Sequence, residues 1–170
     1  GNGTRIDHSI GVSVPKRMHP SIFENPFSPP LPDISVDDDT EIERAVALAT
    51  EADVAVLVLG EAQIMIGEHA SRSTLDLPGR QQELLDRVIA TGTPVVLLIM
   101  TGRPMDLKGA APDAQMMIWY PGTRGGEAFA NLIFGDATPG GKLPYNWPQN
   151  IGQIPLPYAH LRSFKPEEQH

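Results

Sequence analysis

Along the middle of this chain, continuous aliphatic runs alternate with stretches of helical period. Asp37, Asp38, Asp39 and Thr40 make an acidic helix start, suited to the positive end of a helix dipole. Ile42, Ala45, Val46 and Ala49 then recur at helical spacing. Val54 to Leu59 is an unbroken β-branched and aliphatic run, the pattern of a strand buried on both faces. Gly79 opens a second helix with Leu84, Leu85, Val88 and Ile89 inward, and Thr91-Gly92 closes it. Val95 to Met100 reads as the next buried strand and Met116 to Trp119 as a third. Residues 126–134 form a third helix with Ala128, Phe129, Leu132 and Ile133 on one face. Helix and strand alternating over short links predict a mostly parallel sheet with right-handed crossovers. The expected architecture is α/β, a three-layer α/β/α sandwich.

That body spans residues 35–160. Ahead of it, residues 1–34 carry Pro15, Pro20, Pro26, Pro29, Pro30 and Pro32 without helical or strand period. They read as an extended arm that lies on another surface or stays mobile. Residues 161–170 are a polar tail, expected to fray. At 170 residues the chain is one domain with room for a core. The net charge of −8 leaves no basic face for phosphate, which argues against nucleic acid as a partner. No cysteine is present, so neither a disulfide nor a thiolate metal site is available, and the redox compartment stays open. The longest apolar run is too short to cross a bilayer, so no membrane partner is expected. His8, His19, His69, His160 and His170 are scattered, with none in a paired helical metal motif.

Open parallel sheets bind ligands beyond the carboxyl ends of their strands. The loops leaving those ends are 60–78, 101–104 and 120–125, and they should share one edge. Polar chemistry is concentrated in them: Glu61, Glu68, His69, Ser71, Arg72, Arg103, Tyr120 and Arg124. The first loop is longer than most connections in compact domains, a mark of functional loops. Glu61 directly follows a buried strand and is expected to be more buried than Glu68. Trp119, Tyr120 and Trp147 either stack on a ligand ring or serve packing, the commoner use. Arg124 and Glu127 flank a helix start that could hold an anion, but no phosphate-cradling glycine motif accompanies them.

Four stretches carry a family likeness: LGEAQIMIGEHASRSTLDLPGRQQELL at 59–85, TPVVLLIMTGRPM at 93–105, PGTRGGEAFANLIFGDATPGGKLP at 121–144 and NIGQIPLPY at 150–158. Over roughly residues 40–160 the chain resembles the C-terminal α/β sandwich domain of glycoside hydrolase family three, the β-glucosidase and β-xylosidase family. The resemblance implies a retaining β-glycosidase acting on terminal β-linked sugars of oligosaccharides or glycosides, without a cofactor. In that family the nucleophile is an aspartate of a (β/α)8 barrel domain, and the acid/base is a glutamate on a sandwich loop corresponding to 60–78. Glu68, shortly before Ser71-Arg72, matches the acid/base. Glu61 matches an earlier Gly-Glu, either an orienting carboxylate or a sugar contact. His69, Ser71 and Arg72 are the further candidates for substrate contact. Arg72 either fixes a carboxylate such as Glu61 or bonds a sugar, and His69 either touches substrate or lies on the surface. Gly102-Arg103-Pro104 is a shared motif expected to be architectural.

Departures from the family pattern set the limits of this reading. Gly140 stands where the family often has serine, and Ala137-Thr138 replaces a commoner aromatic-Asn pair. The barrel is absent, as are the strand and glycine-rich turn that usually start the sandwich. Without a nucleophile the chain alone cannot complete a retaining mechanism, so it is expected to be inactive in isolation and to need a barrel domain or chain as partner. The resemblance favours a periplasmic or secreted location. The rival functional class is a non-catalytic scaffold or carbohydrate-binding domain. A flavodoxin-like binding module is a weaker third reading, since no phosphate loop follows the first strand.

Overall fold

The structure, a computed structural model, describes residues 3–14, 34–68 and 70–159. Its elements are α1 (Asp38–Glu51), β1 (Ala55–Gly60), α2 (Gln81–Ile89), β2 (Val95–Met100), β3 (Ala114–Met117) and α3 (Gly125–Ile133). A 3-10 turn, Gln63–Met65, lies in the loop after β1, and a second, Ile151–Gln153, lies near the end. The fold is an α/β sandwich built on a small parallel sheet.

The acidic start of α1 works as its pattern predicts. Asp37 caps the helix by accepting the Thr40 backbone N–H at 2.8 Å. That bond holds its carboxyl below the usual range, and Asp38, Asp39 and Glu41 add negative charge to the first turn. Ile42 and Ala49 are buried, and Ala45 and Val46 pack beside them. On α2, Leu84, Leu85 and Val88 form the inward stripe. The helix starts at Gln81 rather than at Gly79 because Arg80 occupies the cap position. Arg80 joins Asp39 and Arg87 joins Glu43, both at 2.6 Å, lacing the two helices along their solvent rim.

All strand pairs are parallel, in the order β1-β2-β3. Such pairs need crossover connections, and α2 supplies the one between β1 and β2. Ala55, Leu57 and Leu59 are in register with Val95, Leu97 and Ile99. These residues share a face and join Ile42, Leu84, Leu85 and Val88 in one core. Val12, from the segment ahead of α1, is buried in the same core, and Ser13 donates its backbone N–H to Asp38 at 2.7 Å. Residues 8–14 of the arm therefore lie on the body. Residues 15–33 and the tail from 160 lie outside the described residues.

Two expectations are corrected. First, β1 is not buried on both faces: Val56 and Val58 are 42% and 54% exposed. The helices α1 and α2 cover one face, while among the described residues nothing encloses the other at this edge strand. The central strand keeps Leu98 buried on that side, opposite Met116 of β3. Second, α3 does not bury its apolar stripe. Phe129 and Leu132 are half-buried, Ala128 and Ile133 are exposed, and only Gly125 is buried. The third strand also begins earlier than its hydrophobic run, at Ala114. It ends before Trp119, whose φ of 52° turns the chain out of the sheet.

Candidate active site

The carboxyl ends of the strands gather several of the candidate residues on one edge. Gly60 ends β1 with φ of 139°, and a Cβ there would run into the Met100 carbonyl of β2. Only glycine allows that approach. The buried Gln81 amide completes the strand end: its Oε1 accepts the Gly60 N–H at 2.7 Å and its Nε2 donates to the Gly60 carbonyl at 2.8 Å. A side-chain amide thus takes the place of a neighbouring strand. The Glu61 N–H bonds the Met100 carbonyl at 2.9 Å, extending the ladder one residue.

Glu61 is 3% exposed, as its position after the strand predicts. Its carboxylate is fully engaged. Oε1 accepts Arg72 at 3.0 Å, and Oε2 accepts Arg103 Nε at 3.0 Å and the Thr101 hydroxyl at 2.5 Å. Its carbonyl accepts the Tyr120 hydroxyl at 2.9 Å. Buried charge is tolerable when its lone pairs are satisfied by opposite charge and donors, and here they are. Burial, with the nearby Glu61 charge adding and Arg103 opposing, pushes the Tyr120 phenol up to about 12. Tyr120 therefore keeps its proton and its bond to the Glu61 carbonyl well into alkaline solution.

The two arginines carry the restraint into the loop. Arg72 donates to the Asp76 carbonyl at 2.8 Å. Arg103 Nη2 donates to the Met65 carbonyl at 3.0 Å and the Ala70 carbonyl at 2.9 Å. The far end of the loop is tied to the segment after β2 through an isolated parallel bridge, Asp76 to Asp106, with Lys108 ion-paired to both. Hydrogen bonds from Lys108, its backbone N–H above all, hold the Asp106 carboxyl below its usual range.

Glu68 sits between those anchors. It is exposed in a turn closed by the Ala70 N–H to Gly67 carbonyl bond of 3.2 Å, with Gly67 at φ of 91°. Among the described residues no hydrogen bond or ion pair engages its carboxylate. Ser71 is exposed and Arg72 half-buried, while His69 lies outside the described residues. The edge therefore unites Glu61, Arg72, Arg103, Tyr120 and the Glu68 loop, and of the two partners considered for Arg72 it pairs with Glu61. Thr101 and Gln81 escaped the reading of the sequence. Thr101 had a signal, its position between a buried strand and Gly-Arg-Pro; a Gln in a first helical turn carries none.

The other candidates serve packing or surface pairing. Trp147 donates its indole N–H to the Met105 carbonyl at 3.0 Å and stacks with Tyr145. Trp119 meets Tyr145 edge-on and is partly exposed. Arg124 pairs with Glu127 on the exposed start of α3. Among the described residues no group of three His, Asp or Glu side chains is placed to hold a metal, and no helix is long and apolar enough to cross a membrane.

Comparison with known proteins agrees with this fold. The model of the glycosyl hydrolase family 3 C-terminal domain matches residues 5–170. A periplasmic beta-glucosidase of Salmonella typhimurium is 37% identical over 168 residues, which cover 98% of this chain and 22% of that protein. Beta-D-xylosidase 1 of Arabidopsis thaliana is 45% identical over 70% of the chain and 16% of its own length. The crystal structure of the beta-glucosidase from Listeria innocua with isofagomine superposes with a TM-score of 0.71 at 38% identity, over 76% of this chain and 19% of that one. The chain thus spans about a fifth of the length of these relatives. By sequence and by fold, the chain belongs to the glycosyl hydrolase family 3 C-terminal domain family.

Proposed function

We propose that this domain is the acid/base-bearing half of a retaining, β-glucosidase-like glycosidase acting on terminal β-linked sugars. A (β/α)8 barrel, as a domain or a companion chain, supplies the nucleophile. The observation that carries the reading is Glu68: an exposed carboxyl without a partner among the described residues, on a loop braced at both ends, at the edge where parallel sheets present their ligands. In the first step Glu68 protonates the glycosidic oxygen as the barrel carboxylate attacks the anomeric carbon. In the second, the same residue takes a proton from water as the covalent glycosyl-enzyme is hydrolysed. Ser71 and His69, on the same loop, are proposed substrate contacts. Glu61 and Arg72 are the other two candidates for substrate contact. Their mutual bond and the burial of Glu61 favour an orienting role for both. On this reading the 170-residue chain alone hydrolyses no glycoside. Similarity to a protein named periplasmic favours a periplasmic or secreted location.

The test is Glu68→Gln in the complete enzyme. Glycosides with poor leaving groups should lose roughly two to four orders of magnitude in rate, the usual worth of general acid catalysis. Activated aryl glycosides should still react in the first step. Their turnover should stall at the second and resume with azide, which attacks without a base. If Glu61→Gln shows that pattern and Glu68→Gln does not, the acid/base is Glu61. If neither is impaired, the sandwich is a scaffold or sugar-binding domain and contributes no catalyst.

A further inference from the structure

Resting on that reading of Glu68, we propose that Arg103 is the positioning residue for the acid/base loop. A single guanidinium bridges three acceptors: the Glu61 carboxylate through Nε, and the Met65 and Ala70 carbonyls through Nη2. Those carbonyls stand before and after Glu68 in the chain. The cation therefore pins the chain on both sides of Glu68 to the sheet edge. Glu61 is the anchor, because its own carboxylate is held by Arg72 and Thr101 and its carbonyl by Tyr120. Ile66 lies over Gly102, next to the same clamp. A planar fork can satisfy a carboxylate and two carbonyls in fixed directions; an ammonium on a flexible stem cannot. The clamp touches no reacting atom. What it sets is the distance and angle at which the Glu68 carboxyl meets the glycosidic oxygen, and a displacement of about 1 Å can cost on the order of a hundredfold in rate.

The experiment compares Arg103→Lys, Arg103→Met and Glu68→Gln in the complete enzyme. Lysine keeps the charge beside Glu61 and removes only the fork, so it stays informative if the methionine variant does not fold. Arg103→Lys should melt close to the wild type. It should lose roughly ten- to a hundredfold on unactivated disaccharides while keeping the first step on activated aryl glycosides. Azide should raise its turnover of the activated substrate and yield the glycosyl azide, as for Glu68→Gln. A merely structural arginine would depress both substrate classes equally, with no response to azide, and that result overturns the proposal. So does an Arg103→Lys enzyme of wild-type rate on both classes. If Glu68→Gln itself shows no selective loss and no azide response, the acid/base reading fails, and the positioning role fails with it. Failure of Arg103→Lys alone, with Glu68→Gln behaving as expected, removes only the clamp.

Discussion

Glu61 and Glu68 lie on one loop and are chemically identical, yet their surroundings give them opposite properties. Glu61 has every carboxylate oxygen committed to Arg72, Arg103 or Thr101 and no exposed side-chain area. Glu68 is exposed and has no protein partner among the described residues. Stability should separate them. Glu61→Gln leaves two guanidiniums facing a neutral amide and should destabilise the domain by about 2 to 4 kcal/mol. The lower end is expected, because the arginine side chains are 17% and 23% exposed and water shares the loss. Glu68→Gln should stay within about 0.5 kcal/mol, as surface changes usually do. Denaturant titration of both variants checks this, and equal losses would contradict the assignment of roles. At this scale the sequence was partly legible. A glutamate directly after a buried strand predicts burial, and strand order predicts which loops meet. That Arg103 would reach back to Met65 and Ala70 was not readable, because tertiary folding makes that contact across distant positions and no local pattern encodes it.

The elements divide into those that the core defines and those that their own pattern defines. The helices α1 and α2 bury complementary stripes, and cap and periodicity alone located them to within two residues. The strand β1 was harder. A continuous apolar run looks the same whether one face or both are covered, and here the face bearing Val56 and Val58 is open. For β3 the misplaced start has a similar cause, since Ala114 and Gln115 are exposed and do not read as strand. Paired substitutions test the sidedness in the isolated chain. Leu85→Ala, at a fully buried site between helix and sheet, should cost about 2 to 5 kcal/mol. Val58→Thr, on the open face and with β propensity kept, should cost less than about 0.5 kcal/mol. A large loss at Val58 would mean that its face is covered in the folded chain.

For the whole molecule, several carboxyls link folding to pH. Asp106, through the Lys108 backbone N–H first, and Glu41, through the Ser9 hydroxyl first, are held below their ordinary values of 3.8 and 4.5. Because folding lowers these values, their contribution is present above the unfolded values and is lost as pH falls through the folded ones. Thermal melts should therefore decline below about pH 4. Tyr120 has the opposite sign: its folded value is raised from 10.0 to about 12. Its contribution is complete below pH 10 and is lost between 10 and 12. A melting temperature that holds steady to pH 2 would contradict the bonding described for these carboxyls. The sheet edge was legible as a whole because parallel topology puts every βα loop on one side; the catalytic role proposed for Glu68 rests on the family resemblance. The most direct measurement of the central claim is the intact mass of the complete Glu68→Gln enzyme after mixing with an activated aryl β-glucoside. The account predicts that most molecules carry one added glycosyl unit on the barrel and lose it on addition of azide. An unmodified enzyme that still cleaves unactivated disaccharides at the wild-type rate would contradict it.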